Sequence, residues 1–151
     1  MTAAVLGAAA VAAWIYLILG RGFFWLARER DDADLPADPA TWPCVVAVVP
    51  ARNEADVVGQ AIGSILGQDY PGPISAVLVD DASDDGTAER ALQAAGGDAR
   101  LVVHEGRPLP AGWTGKLWAV SQGVEAASRS QPVFLWITDA DIAHAPSTLR
   151  G

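Results

Sequence analysis

The chain opens on an unbroken apolar stretch. Ala3 to Gly20 carries no charged residue, and Gly22 to Ala27 adds a second apolar run after Arg21. A membrane-crossing helix needs about 20 such residues, with a lower bound near 17, so residues 1–27 read as a transmembrane anchor. Nothing basic precedes the run, whereas Arg21, Arg28 and Arg30 follow it. Arginines collect on the cytoplasmic flank. The expected protein is therefore single-pass in the cell membrane, with its globular part cytoplasmic. Trp14, Tyr16, Phe23, Phe24 and Trp25 gather towards the same end, where amphipathic rings prefer the interface. A cleaved signal or a buried core helix would share the apolar run, but a signal carries a basic start and a shorter core. Residues 28–42 are acidic and proline-bearing, which predicts a linker.

From residue 43 to 151 the pattern alternates between two periods. Cys44–Val49, Ser75–Val79, Leu101–Val103 and Val133–Ile137 are short apolar runs of strand type, the first and last read as buried. Between them lie helical spacings. Glu54–Gln68 places Val57, Val58, Ala61, Ile62, Ile65 and Leu66 on one face, with Asn53 as its expected cap and Asp56 in its first turn. Thr87–Ala95 places Ala88, Ala91, Leu92 and Ala95 inward, with Ser83 or Asp84 as expected cap. Lys116–Ala127 places Leu117, Val120, Val124 and Ala127 inward. Strands alternating with helices predict an α/β fold, a three-layer α/β/α arrangement around a mainly parallel sheet.

Composition matters here through its distribution. The 151 residues are 51% hydrophobic and 19% charged, which excludes a disordered chain. The single cysteine, Cys44, excludes a disulfide scaffold and a cysteine-based zinc site. A net charge of -8 excludes nucleic acid as the main partner.

In parallel α/β sheets ligands bind beyond the carboxyl ends of the strands. Glu54, Asp80, Asp81, Glu105, Asp139 and Asp141 all fall on that predicted rim. Asp139-Ala140-Asp141 leaves the last strand directly, so both carboxylates can turn to one hard divalent cation that shares its remaining sites with phosphate. Such a cation would neutralise a diphosphate leaving group. Asp80 and Asp81 end the second strand, where a carboxylate can accept from a ribose hydroxyl or a base N–H. Asp84, Asp85 and Ser83 are read as structural. Lys116, the only lysine, stands at a helix start after Trp113-Thr114-Gly115, a placement that suits phosphate. Arg52 can pair with the rim acids or contact a nucleotide. His104 and His144 are read as structural, and Trp118 and Trp136 as core.

Three ordered segments resemble the family 2 glycosyltransferases of the GT-A, nucleotide-diphospho-sugar transferase-like fold. They are Val48-Val49-Pro50-Ala51-Arg52-Asn53-Glu54, Val79-Asp80-Asp81-Ala82-Ser83-Asp84-Asp85-Gly86-Thr87, and Thr138-Asp139-Ala140-Asp141. Trp113-Thr114-Gly115-Lys116 and the apolar start are most similar to the hopene-associated glycosyltransferase subgroup. The resemblance implies transfer of a sugar, with inversion, from a nucleotide-diphosphate sugar, UDP favoured, to a lipid such as a hopanoid or polyprenyl lipid. It implies that Pro50, Ala51, Arg52, Glu54, Asp80, Asp81, Lys116 and Asp139 contact the nucleotide sugar, and that Asp139 and Asp141 hold Mg²⁺ or Mn²⁺. It also implies a catalytic base in an acceptor half beyond Gly151, so residues 43–151 would be the donor half. Two other classes fit parts of the pattern: a truncated, non-catalytic membrane module that binds nucleotide sugar or a partner, and a phosphohydrolase using an aspartate nucleophile, since Asp139-Ala140-Asp141 follows a strand. The second would place its acid pair after the first strand rather than the fourth.

Overall fold

The computed structural model describes residues 2–21 and 38–150, and the chain divides into two units, Met1–Ala37 and Asp38–Gly151. In the first, α1 (Thr2–Gly20) is a 19-residue helix. Its window Ala3–Gly20 has mean hydropathy 2.1, and none of it is buried. At 1.5 Å per residue it is about 28 Å long, close to the thickness of a bilayer's hydrocarbon core. Phe23, Phe24, Trp25, Arg28 and Arg30 lie outside the described residues, as does the expected linker up to Ala37.

Asp38 to Trp42 depart from the linker expectation and belong to the second unit. Trp42 packs edge-on against Tyr70 at 5.2 Å between ring centres, and Arg150 pairs with Asp38 at 3.2 Å. The Tyr70 hydroxyl donates to the Pro43 carbonyl at 2.6 Å. An aromatic side chain with a partner ring outweighs the poor packing of the prolines around it.

The second unit runs β1 (Val45–Ala51), α2 (Val58–Leu66), β2 (Ile74–Asp80), α3 (Thr87–Ala95), β3 (Leu101–Glu105), α4 (Gly115–Ala127), a 3₁₀ turn at Ser128–Ser130, and β4 (Phe134–Ile137). The four strands are parallel and lie in the order β3-β2-β1-β4. Alternation along the strands builds two cores. Ala47, Val49 and Ala51 with Ile74, Ala76 and Leu78 face Val58, Ile62 and Ile65 of α2 and Ala91 of α3. Val46, Val48, Val77 and Val79 face Ala119 and Ala127 of α4. The result is the three-layer α/β/α sandwich that the alternation predicts.

Three expected faces are corrected. Of the face expected on α4, Ala127 is buried but Leu117 is 61% exposed and Val120 and Val124 are only partly buried; the helix turns Ala119, Gln122 and Gly123 to the sheet in their place. Its small residues set the approach: a Cβ on Gly123 would run into Cγ1 of Val48 and stand 3.1 Å from Cγ2 of Val79. Leu92 of α3 is exposed, because Thr87 and Ala91 take the inward positions. In β4, read as buried, Phe134, Leu135 and Ile137 are exposed and only Trp136 packs inward, against the α2 side. The reason is position: β4 is an edge strand, and α4 lies mainly over β1 and β2. Trp118, expected in the core, is half-buried and holds the loop before α4. Its indole N–H donates to the Arg107 carbonyl at 3.0 Å, and it meets Trp113 at 5.3 Å.

Candidate active site

The chain steps from β1 out through β2 to β3, then returns to the other side of β1 for β4. The crevice between β1 and β4 is thus the point where the winding reverses, the place where parallel sheets bind ligands. The two strands part there. β4 pairs with β1 only from Val45 to Val48, with a last bond from the Thr138 N–H to the Val48 carbonyl at 3.2 Å, whereas β1 continues to Ala51. Pro50, which has no N–H, falls in the part of β1 that β4 does not reach.

A cavity of about 420 Å³ fills this crevice, lined by Pro50, Ala51, Arg52, Glu54, Asp81, Gly115, Lys116, Ala119, Asp139, Ala140 and Asp141. The volume lies in the range of small-molecule sites. The two acids after β4 are aimed by what lies between them. Ala140 is buried in the core, so Asp139 and Asp141 are turned out on either side of it. The turn is held from behind by Thr138, whose hydroxyl meets Nε2 of His144 at 2.8 Å, while the His144 N–H donates to the Ser64 hydroxyl at 3.0 Å. Burial pushes the His144 imidazole below its ordinary pKa, in keeping with the structural role expected of it.

Two bases face the acids. The Lys116 ammonium lies 2.8 Å from Asp139, and Arg52 lies 3.6 Å from Oδ2 of Asp81. With Glu54 and Asp141 the lining carries a formal charge of −2. α4 begins at the cavity, and its first turn has no side-chain cap at Thr114, so its N–H end is open to an anion. Gly115 lies close under the Asp81 carboxylate: a Cβ there would stand 3.1 Å from Oδ2 of Asp81.

Asp80 and Glu105 do not line the cavity. Oδ1 of Asp80 instead accepts the Ser83 N–H at 3.1 Å. They pair in register at the ends of β2 and β3, one strand further from the crevice. The expected cap at Asn53 is also corrected. Asn53 has a positive φ of 56°, and α2 starts at Val58. Its Oδ1 accepts the Asp84 N–H at 3.0 Å. Nor does Ser83 or Asp84 cap α3. The cap position is Gly86, at a φ of 87°, and the Thr87 N–H is met from one residue further back, by Oδ1 of Asp85 at 3.0 Å. The hydrogen bond from the Thr87 hydroxyl, followed by that from the Ala55 N–H, holds the Asp85 carboxyl below its ordinary pKa. Sequence reasoning missed Gly115, Ala119 and Ala140 as lining residues. Their only signal is small size beside charged neighbours.

Among the described residues no group of three or more His, Cys, Asp or Glu gathers to hold a metal. The donor set at Asp139 and Asp141 nevertheless fits a hard divalent cation. It is all oxygen, it faces a cavity of net negative charge, and one of the two acids already holds a cationic group, Lys116.

Residues 46–151 match the model of glycosyl transferase family 2. The chain belongs to this family. Its sandwich agrees with the GT-A fold of nucleotide-sugar transferases. This family 2 chain is similar to a mannosyltransferase from Pyrobaculum calidifontis solved in complex with GDP-Man and Mn²⁺, at 30% identity and a TM-score of 0.63 over 98% of this chain and 39% of that one. It is also similar to mannosyl-3-phosphoglycerate synthase from Rubrobacter xylanophilus, at 29% identity and a TM-score of 0.53 over 70% of this chain and 33% of that one. TarS 1–349 of S. aureus in complex with UDP-GlcNAc shares the fold at 20% identity and a TM-score of 0.55, over 71% and 29% of the two chains. The family 2 chain thus spans well under half the length of these structures. No curated protein sequence matches it.

Proposed function

We propose that the Asp38–Gly151 unit binds the donor in a sugar transfer from a nucleotide-diphosphate sugar to an acceptor. The observation that carries this reading is the crevice between β1 and β4, where Arg52, Asp81, Lys116, Asp139 and Asp141 line one cavity. Arg52 and Asp81 are the nucleotide side, with Glu54, Pro50 and Ala51 as its wall. Lys116 and the open first turn of α4 are the diphosphate side. Asp139 and Asp141 would hold Mg²⁺ or Mn²⁺, which when bound offsets the charge that develops on the departing nucleoside diphosphate. The Mn²⁺ bound by the Pyrobaculum mannosyltransferase supports this metal assignment. Lys116 gives the same phosphates a fixed positive partner.

The apolar helix α1 is read as a single-pass membrane anchor with the binding unit in the cytoplasm. An anchored binding unit suits a lipid acceptor. The Trp113-Thr114-Gly115-Lys116 stretch favours a hopanoid or polyprenyl lipid through its resemblance to the hopene-associated subgroup. UDP-sugars are the favoured donors. The test is calorimetric titration of the full chain with UDP-GlcNAc and with GDP-mannose, each with and without Mn²⁺. Binding that requires Mn²⁺ and is lost in Asp141→Ala supports the reading. Equal, metal-independent binding, or none, removes it.

A further inference from the structure

The end of β2 and the loop after it carry Asp80, Asp81, Asp84 and Asp85, of which only Asp81 lines the cavity. The carboxylates of Asp80 and Asp85 are accounted for by what they hold. Three consecutive N–H groups of the loop after β1 donate to side chains of this second loop: Asn53 to Ser83 Oγ at 3.0 Å, Glu54 to Thr87 Oγ1 at 2.9 Å, and Ala55 to Asp85 Oδ2 at 3.0 Å. The Thr87 hydroxyl in turn donates to Oδ1 of Asp85 at 2.6 Å.

Thr87 is the centre of this clasp. It is 0% exposed, and its hydroxyl both donates and accepts. It is the first residue of α3, yet its oxygen caps nothing in its own helix. It serves a peptide 33 positions away. The Glu54 carbonyl, at the other end of the same residue, accepts from Val57 and Val58 and so starts α2. Glu54 is therefore held at both its backbone N–H and its carbonyl, while the residue lines the cavity beside Arg52.

We propose that Thr87 and Asp85 are positioning residues for the donor, fixing the backbone of Glu54 and Ala55 and through it the Arg52–Glu54 wall of the cavity. This rests on the donor-binding reading of that cavity. Neither residue lines the cavity, so their effect on the ligand passes through the loop. Outer-shell partners of metal ligands change affinity or activity by about 10-fold or more when removed, and an effect of about that size is expected for this backbone clasp.

The experiment compares the full chain with Thr87→Val, Thr87→Ser and Asp85→Ala, and has two readouts. One is the Kd for UDP-GlcNAc and GDP-mannose with Mn²⁺. The other is amide hydrogen exchange of residues 53–55 without ligand. Thr87→Val keeps the shape and removes the hydroxyl; it is expected to speed exchange at Glu54 and Ala55 and to weaken donor binding about 10-fold, with Thr87→Ser restoring both. Asp85 is exposed, so Asp85→Ala tests the same clasp without a core substitution should Thr87→Val fail to fold. Faster exchange with an unchanged Kd makes the clasp merely structural and overturns the proposal, as does unchanged exchange. If the parent chain binds neither nucleotide sugar, the donor-binding reading fails and the positioning proposal falls with it. Faster exchange would then leave only the clasp as a structural fact.

Discussion

Lys116 donates to Oδ2 of Asp139 at 2.8 Å, and its Nζ also lies 2.8 Å from Oδ1. The only lysine of the chain thus occupies one of the two carboxylates read as metal ligands. Both side chains are about half exposed, and pairs of that kind contribute at most about 1 kcal/mol. On the proposed donor-binding reading, a diphosphate with its cation offers each group a stronger partner, and the pair is exchanged when they bind. Lys116→Met is therefore expected to weaken nucleoside-diphosphate binding by about 10- to 100-fold, the loss of one charge-assisted hydrogen bond. It should leave Mn²⁺ binding to the ligand-free chain no weaker than before, since Asp139 is released. Calorimetry with UDP plus Mn²⁺ and with Mn²⁺ alone separates the two effects. Mn²⁺ binding lost together with UDP binding would contradict the exchange.

How much of this was legible in the sequence depends on where each signal comes from. The β-branched runs around Val46–Val49 and Val77–Val79 are buried on both faces, so a continuous apolar stretch marked them as strands. Asp139 and Asp141 were legible because a strand end and a parallel sheet together fix where they must stand. The start of α2 was not, because the groups that bend residues 53–55 away from the helix lie some thirty positions later, at Ser83, Asp85 and Thr87. The inward face of α4 was misread because apolar size was taken as the guide. The helix packs through Ala119 and Gly123, where absence of bulk is what counts. β4 was misread for a third reason: an apolar run reports strand type, and only the sheet order reveals an edge.

Removing the acids should separate binding from folding. Asp141 is exposed, and exposed substitutions away from special features stay within about 0.5 kcal/mol. Asp141→Ala is thus expected to keep the unfolding midpoint of the parent chain while Mn²⁺-dependent nucleotide binding drops at least about 10-fold. Asp139→Asn should behave alike, with a slight further change from the lost Lys116 pair. Thermal unfolding beside calorimetry checks both. A large loss of stability in Asp141→Ala would instead mark the acid as part of the turn after β4.

Gly123 offers the opposite case, a position that acts on stability alone. Replacing a mid-helix glycine by alanine normally stabilises by about 1 kcal/mol. Here the added Cβ would collide with Val48 Cγ1, and Val48 is fully buried with no room to yield. Overpacking of this kind costs about 1–3 kcal/mol. The clash should win, so Gly123→Ala is expected to lower stability by about 1 kcal/mol and Gly123→Val by more. Urea unfolding would measure this, and a stabilised Gly123→Ala would show that α4 can shift outward freely.

The last prediction concerns acid. His144 packs against Trp136 with ring centres 4.5 Å apart, and burial lowers its pKa below the ordinary 6.5. The folded chain therefore takes up a proton on this ring less readily than the unfolded one. A group depressed in the folded state contributes stability that is present above its unfolded pKa and is lost as pH falls through its folded value. Stability should thus decline as pH drops below about 6.5. His144→Gln keeps a polar partner for Thr138 and removes the titration, so it should flatten that decline below about pH 6.5 while lowering stability at neutral pH through the lost ring contact. The same turn carries Asp139, so acidification in this window should also weaken Mn²⁺-dependent nucleotide binding in the parent chain more than in the variant. Unfolding midpoints and donor affinities measured across that range for both proteins provide the check. Parallel pH profiles would mean that His144 binds its proton equally well in the folded and the unfolded chain.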